Sequence, residues 1–399
     1  MKRIGDKEKE YIMEVLQTQF KTSTGSIMTK RLEQAFAEKF KVKYAIAHSN
    51  GTATLHCALS SAGIGPGDEV IVPPLTMSST AFAVLHANAV PIFADVDPET
   101  FTIDPESIQK NITEYTKAII PVSLYGLSPD MDKIMGIADK YNLTVIEDDA
   151  QCFLGYYKGK IVGSIGHMAS FSFQSSKHIT SGEGGMLITD DEELANRIRR
   201  FNSLGYAGVS ASKGKITKED IQDPEYERHV CLGFNYRLSE LCSAVALAQV
   251  ERLEELVQQR IEVANLYAEA VEDCDWLRPQ KVPEDYKHSF WTFVLKLDSD
   301  EIDWHQFRKK YMEFGGDGIY AAWQLSYLEP VFRNYAFYPK NCPARCPHYL
   351  AKPQEYAPGL CPIAESIQPR LLQFKTNYMD LETAKQKAIA LARTIKFFQ

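Results

Sequence analysis

Between residues 44 and 189 the chain alternates short runs of consecutive apolar residues with longer stretches whose apolar positions recur every three or four residues. The runs are YAIA (44–47), EVIVP (69–73), VPIFAD (90–95), AIIPVS (118–123), LTVIED (143–148), ASFSF (169–173) and GMLIT (185–189). Apolar residues on successive positions, rich in Val and Ile, suit strands covered on both faces. The stretch 130–141 between two of them places Ile134, Ile137, Ala138 and Tyr141 at helical spacing. This alternation predicts an α/β domain with a largely parallel sheet, in which ligands sit at the carboxyl ends of the strands.

Beyond NYRLSE, the positions of Leu238, Leu241, Val245, Leu247, Val250, Leu253 and Leu256 predict one long helix. It leads out of a large domain, residues 1–250, toward a smaller one, residues 251–399. The smaller part holds the strand-like FWTFVLKL (290–297) and helical patterns over 304–314 and 383–395. A loop over about 327–362, rich in Pro, Tyr and Cys, exceeds most connections in compact domains, so it is expected to be functional or mobile. Ahead of Lys43, GSIMTKRLEQAF is helical, with a turn expected at Thr24 and Gly25.

Composition narrows the class. The 399 residues are 45% hydrophobic and 24% charged, an ordinary globular balance, and the net charge of −8 argues against a nucleic-acid or membrane-surface partner. A small anionic substrate needs only a local basic pocket and stays allowed. MKRIGDKEKE lacks the apolar core of a signal peptide, and no run is long enough to span a bilayer, which together predict a cytoplasmic protein. Eight cysteines are too sparse for a disulfide scaffold. Cys342, Cys346 and His348 cluster in NCPARCPH, with Cys361 beyond, but a second tight pair is missing. Free thiols rather than a metal are expected there.

Three strand-end features carry candidate chemistry. In SNGTATLHCAL, Gly51 and Thr52 follow a strand and open a helix, where unpaired N–H groups and the positive dipole end can hold a phosphate. A plainly capped helix would look the same. LTVIEDDAQ ends a buried strand in Glu147, Asp148 and Asp149, which either need a cationic partner or a metal such as magnesium, for which no companion ligand set is evident, or mark the strand reaching solvent, the simpler reading. SFQSSKHITSGEGGM sets Lys177 in a turn flanked by Ser172, Ser175, Ser176 and the glycines 182, 184 and 185. That is either a surface lysine or an amine for a Schiff base. No phosphate-loop pattern G-x-x-x-x-G-K-[ST] is present, which argues against nucleotide triphosphatase chemistry. Jointly, a phosphate nest near residue 52, a carboxylate at 148 and a lysine 29 residues on match what pyridoxal 5′-phosphate requires.

The motifs GSIMTKRLEQAFAEKF, SNGTATLHCAL, GPGDEVIVPPLTM, FADVDPETFTIDPESI, VIEDDAQ, SFQSSKHITSGEGGM and GFNYRLSELCSAVALAQVERLEEL resemble the DegT/DnrJ/EryC1/StrS family of sugar aminotransferases, within the aspartate-aminotransferase fold. The resemblance implies fold type I: a three-layer αβα large domain around a mostly parallel seven-stranded sheet, plus a smaller α+β C-terminal domain. It implies pyridoxal 5′-phosphate, cycling with its pyridoxamine form, carried as an internal aldimine on Lys177. Once released, that lysine serves as general base and acid. Asp148 would keep the ring nitrogen protonated, Gln151 would bond the phenolic oxygen, and Gly51, Thr52 and Ser172 would hold the phosphate. Asn235 of GFNYR resembles the residue that reaches the neighbouring subunit's phosphate, which implies a homodimer with shared sites.

Two positions depart from the pattern. Met77 of PPLTM stands where the family commonly stacks an aromatic ring on the cofactor. His178 adjoins Lys177, and a dehydratase branch carries histidine in place of the lysine; counted from Ser172, Lys177 falls on the aminotransferase position and His178 is structural. The resemblance thus implies transfer of an amino group from an amino acid, glutamate first, to a keto- or aldehyde-sugar, whether nucleotide-linked, a sugar acid or a cyclitol. A dehydratase or lyase and a non-catalytic regulator are the alternatives. Tyr320, Trp323 and Tyr327 are expected to pack rather than stack on a sugar, and Arg345, Arg370 and Lys375 to be solvated charges. QPRLLQFKTNY replaces a proline-containing segment usual near the family's substrate.

Overall fold

The computed structural model of the chain describes residues 2–21, 25–346 and 353–399. Its strands are β1 (Tyr44–His48), β2 (Glu69–Val72), β3 (Val90–Phe93), β4 (Thr116–Ile119) and β5 (Thr144–Asp148). A small hairpin follows, β6 (Tyr156–Tyr157) and β7 (Lys160–Ile161), then β8 (Met168–Ser172) and β9 (Gly185–Thr189). Seven of them form one sheet in the order β1-β9-β8-β5-β4-β2-β3. All its pairings are parallel except those of β9, which runs antiparallel to both β8 and β1. The strands are buried along almost their whole length, as unbroken apolar runs require when helices cover both faces.

The helices between strands start on local signals. Asp130 caps Met131–Tyr141 by accepting from the Lys133 amide, and Asp191 caps Glu192–Asn202 by accepting from that of Leu194. The run read as 118–123 is displaced: the strand is Thr116–Ile119. Pro121 has no N–H to give, so the regular strand ends before it, although its carbonyl accepts from the Asp148 amide at 2.9 Å and Val122 still bridges Asp148.

The single long helix expected after NYRLSE is instead two, Glu240–Val250 and Leu253–Val271, and Leu238 lies ahead of the first. The break is at Arg252, whose backbone leaves the helical region (φ −122°, ψ 25°). The N-terminal segment docks at this point: Arg252 donates to the Lys2 carbonyl, and Gln249 Nε2 donates to the Arg3 carbonyl at 2.8 Å.

A second sheet combines β10 (Leu277–Pro279), β12 (Thr292–Leu297), β13 (Tyr320–Ala321) and β14 (Leu371–Lys375) in the antiparallel order β10-β12-β14-β13, while β11 (Tyr286–Lys287) pairs with β6. Its core draws Val263 and Tyr267 from the helix Leu253–Val271, Phe307 from Trp304–Glu313 and Leu391 from Leu381–Phe398.

The loop 327–362 is packed, in its described part, onto the main sheet. Tyr327, Phe332 and Tyr356 are buried, with ring centroids 5.3, 5.5 and 5.7 Å from that of Phe93 on β3. Tyr356 also donates to the carbonyl of Pro91 at 3.1 Å, so the loop covers the outer strand of the sheet. His348 and Thr24 lie outside the described residues. No helix among the described residues is long and apolar enough to cross a membrane.

Candidate active site

The carboxyl ends of β5 and β8 and the start of the helix Gly51–Ser61 converge on a cavity of about 390 Å³. Gly51, Thr52, Met77, Asp148, Gln151, Ser172 and Lys177 all line it.

Asn50 accepts from the Ala53 amide at 2.8 Å and so caps the helix. Among the described residues the amides of Gly51 and Thr52 keep no intrachain acceptor. A Cβ at residue 51 would sit 2.9 Å from the Ser172 Cβ, so the helix start and the end of β8 touch at a distance only glycine permits. Two free amides beside the Ser172 hydroxyl make an anion cradle.

The acidic run does not simply reach solvent, as the simpler reading held: Glu147, Asp148 and Asp149 are all buried. Glu147 accepts from the amides of Gly163, Ile165 and Gly166 at 3.0, 2.8 and 2.6 Å, which ties down the loop after β7. Asp149 accepts from Ser123 Oγ at 2.6 Å. Only Asp148 faces the cavity. Its Oδ2 accepts from Thr80 Oγ1 at 2.8 Å and its Oδ1 from the Ala150 amide at 3.3 Å. Burial pushes the Asp148 carboxyl above its ordinary range, opposed by these bonds and by the Lys177 charge.

Lys177 sits on the loop 173–184 between β8 and β9, closed by Phe173 N to Gly184 O at 2.8 Å and Ser181 N to Phe173 O at 3.1 Å. Gln174 Oε1 accepts from the Ser176 amide and hydroxyl at 2.8 and 2.7 Å, folding the turn that presents the lysine. Lys177 is buried rather than a surface lysine, with Nζ 4.5 Å from the Trp291 ring centroid. Burial lowers the ammonium to about 8; Asp148 works against that shift, and the like charge of Arg260 adds to it.

Gln151 Oε1 accepts from the Tyr125 amide at 2.8 Å, at a residue with φ +63°, so its side chain is pinned at the cavity wall. Met77 lines the cavity and is half exposed. Asn235 is exposed and does not line the cavity of its own chain. His178 points away: its ring packs 5.4 Å from Phe153 and its Nε2 meets the Ser289 carbonyl at 2.9 Å. Of the three aromatics expected to pack, only Tyr327 is buried, while Trp323 lines the cavity and Tyr320 lies exposed near Lys375. Arg370 pairs with Asp300, Lys375 with Asp317 at 3.6 Å, and Arg345 stands over the Tyr335 ring at 4.0 Å. None of those three cations lines the cavity.

Thr80, Glu183 and Trp291 were not foreseen. Trp291 lay hidden in a run read wholly as strand; its Nε1 donates to the Ser176 carbonyl at 3.0 Å, beside the lysine. Thr80 shows no signal of its own in the sequence, because its role depends on Asp148, 68 residues away. A separate surface groove of about 840 Å³, between the helix Met28–Phe40 and residues 211–215, contains none of these groups.

An anion cradle of glycine and serine, a buried carboxylate and a buried amine around one cavity fit a phosphorylated pyridinium aldehyde, and with this fold they define a pyridoxal-phosphate-dependent aminotransferase of fold type I. The chain belongs to the DegT/DnrJ/EryC1/StrS aminotransferase family, whose model matches residues 2–390. GDP-perosamine synthase of Caulobacter vibrioides is 39% identical over 297 residues, which are 74% of this chain and 76% of that one. The solved aminotransferase from Psychrobacter cryohalolentis superposes with a TM-score of 0.82 at 31% identity, covering 97% of this chain and 96% of its own. NtdA from Bacillus subtilis, solved with bound pyridoxamine phosphate, gives a TM-score of 0.79 at 26% identity, covering 98% of this chain and 83% of its own.

Proposed function

We propose that this enzyme moves an amino group from an amino acid, L-glutamate first, to a keto- or aldehyde-sugar, whether nucleotide-linked, a sugar acid or a cyclitol. The observation that carries the reading is the placement of Lys177 and Asp148 in one buried cavity with the Gly51 cradle. Similarity to a GDP-perosamine synthase supports a sugar acceptor, as do the Trp291 and Trp323 faces, which suit the apolar face of a pyranose ring.

When bound, the cofactor supplies an electron sink for the carbon that loses its proton. The Gly51 and Thr52 amides and the Ser172 hydroxyl hold its phosphate. Asp148, oriented by Thr80 and the Ala150 amide, holds a proton on the ring nitrogen. Gln151 fixes the ring's phenolic side and Met77 packs against its face. Lys177 Nζ anchors the cofactor. With its ammonium lowered to about 8, a useful fraction is neutral near neutral pH, so the freed Nζ would serve as the base that takes the substrate's α-proton and then as the acid that gives it back.

The active assembly is a homodimer. Asn235 of each chain reaches the partner's phosphate cradle, and the exposed apolar side chains Val230, Leu232 and Phe234 beside it are covered by the second copy. The cysteines Cys57, Cys152 and Cys361, buried as free thiols, accord with a cytoplasmic enzyme.

The test is Lys177→Ala. Loss of turnover, together with loss of the absorbance of lysine-linked cofactor, supports the reading; transamination at the parent rate overturns it. Product analysis separates it from dehydration, which gives a deoxysugar with no new amine.

A further inference from the structure

We infer that Arg260 is a positioning residue for the reaction: a buried cation that locks the Lys177 turn to the Trp291 side of the cavity and stands as a like charge beside the lysine amine. The inference rests on the reading of Lys177 as the reactive amine.

Arg260 lies on the helix Leu253–Val271 and is only 2% exposed. A guanidinium so far from water normally faces a carboxylate. This one donates instead to neutral oxygens: Nη1 to the Trp291 carbonyl at 2.7 Å and Thr376 Oγ1 at 3.2 Å, and Nη2 to the carbonyls of Ser176 and Lys177 at 2.9 and 2.8 Å. Among the described residues no acidic side chain pairs with it. One rigid fork therefore grips the two peptide groups at the lysine and the backbone of the tryptophan whose ring lies under Nζ. Arg3 adds a second guanidinium on the Lys177 carbonyl at 2.8 Å.

The other ionisable groups around Lys177 are Asp148, Glu183 at the cavity rim, and His178, which burial keeps neutral. Asp148 favours the ammonium and Arg260 opposes it. No neutral side chain presents the four donors this fork uses, so geometry and charge arrive together and the two substitutions below separate them.

The test uses cofactor-free protein, reductive methylation with formaldehyde and borohydride, and peptide mass spectrometry to follow labelling of Lys177 across pH. In Arg260→Gln the labelling midpoint rises by about one pH unit, so the rate near neutrality drops by about tenfold. In Arg260→Lys the charge stays and the midpoint holds, but the fork is lost; kcat falls by about tenfold while KM for the amino donor changes by less than about threefold. An unmoved midpoint in folded Arg260→Gln overturns the electrostatic role. Parent kcat in Arg260→Lys overturns the positioning role, and that variant decides alone if the glutamine form does not fold. Failure of the lysine assignment is a separate outcome, seen as turnover surviving in Lys177→Ala.

Discussion

The floor of the cavity and its tryptophan side are built by different kinds of chain. On the floor, local bonds shape the backbone at each functional group, with Thr80 and Tyr125 added from farther along the chain: Asn50 caps its own helix, Gln174 folds the Lys177 turn, and the Ala150 amide meets Asp148. On the other side, Trp291 and Trp323 are held from afar: Trp291 is fastened to Ser176 and Arg260, and the two rings lie 5.9 Å apart although 32 positions separate them. The floor thus rests on the strand ends of the main sheet. The tryptophan side rests on segments outside that sheet.

The sharpest way to break this contrast is at the floor. Lys177→Ala should lower turnover more than about 10³-fold, and Asp148→Asn by about 10²-fold to 10³-fold, each in steady-state assays with unchanged circular dichroism. If Asp148→Asn were near-neutral, the floor would not be the seat of the chemistry.

Next comes a stability comparison, one histidine from each region. His48 ends β1, and His288 stacks on Phe290 just before the second sheet; burial lowers both to about 3. Their folded values lie below the unfolded 6.5, so the unfolded chain binds the extra proton. Stability is therefore whole above pH 6.5 and is lost as pH falls toward 3, each contributing about 2 kcal/mol of loss by pH 5. Urea midpoints of His48→Asn and His288→Asn should show a flatter acid limb than the parent. An unchanged slope would mean the site is wetter than its burial indicates.

Smaller effects separate cofactor from acceptor. Gly51→Ala forces a methyl against Ser172 and should weaken cofactor retention about tenfold by equilibrium dialysis, with little change in acceptor KM. Trp323→Ala should do the reverse, raising acceptor KM roughly fivefold while the half-reaction with the amino donor keeps its rate. If both variants shifted the same parameter, floor and side would not be separable.

The same contrast explains what was legible in the sequence. Apolar runs and local punctuation gave the main sheet, the helix start at Gly51 and the turn at Lys177, because in each the determining neighbours lie within a few residues. The three acids look like a strand running into water, since the amides that hold Glu147 arrive from residues 163–166 and nothing near the strand announces them. The helix break at Arg252 depends on a segment some 250 positions away in sequence. Tyr320, Trp323 and Tyr327 share one spacing pattern yet end in an exposed strand, the cavity and the core beneath the 327–362 loop. Pattern alone cannot divide them.

Reversing one strand has a further effect. Had β9 run like its neighbours, the chain leaving β8 would have crossed the whole layer in a helix before returning, and the lysine would ride on a long excursion. Because it turns straight back, the amine hangs from a short bridge with both feet on adjacent planks of one platform. The position of the amine is thereby set by two neighbouring strands at once, so a shift in either foot would carry the lysine with it.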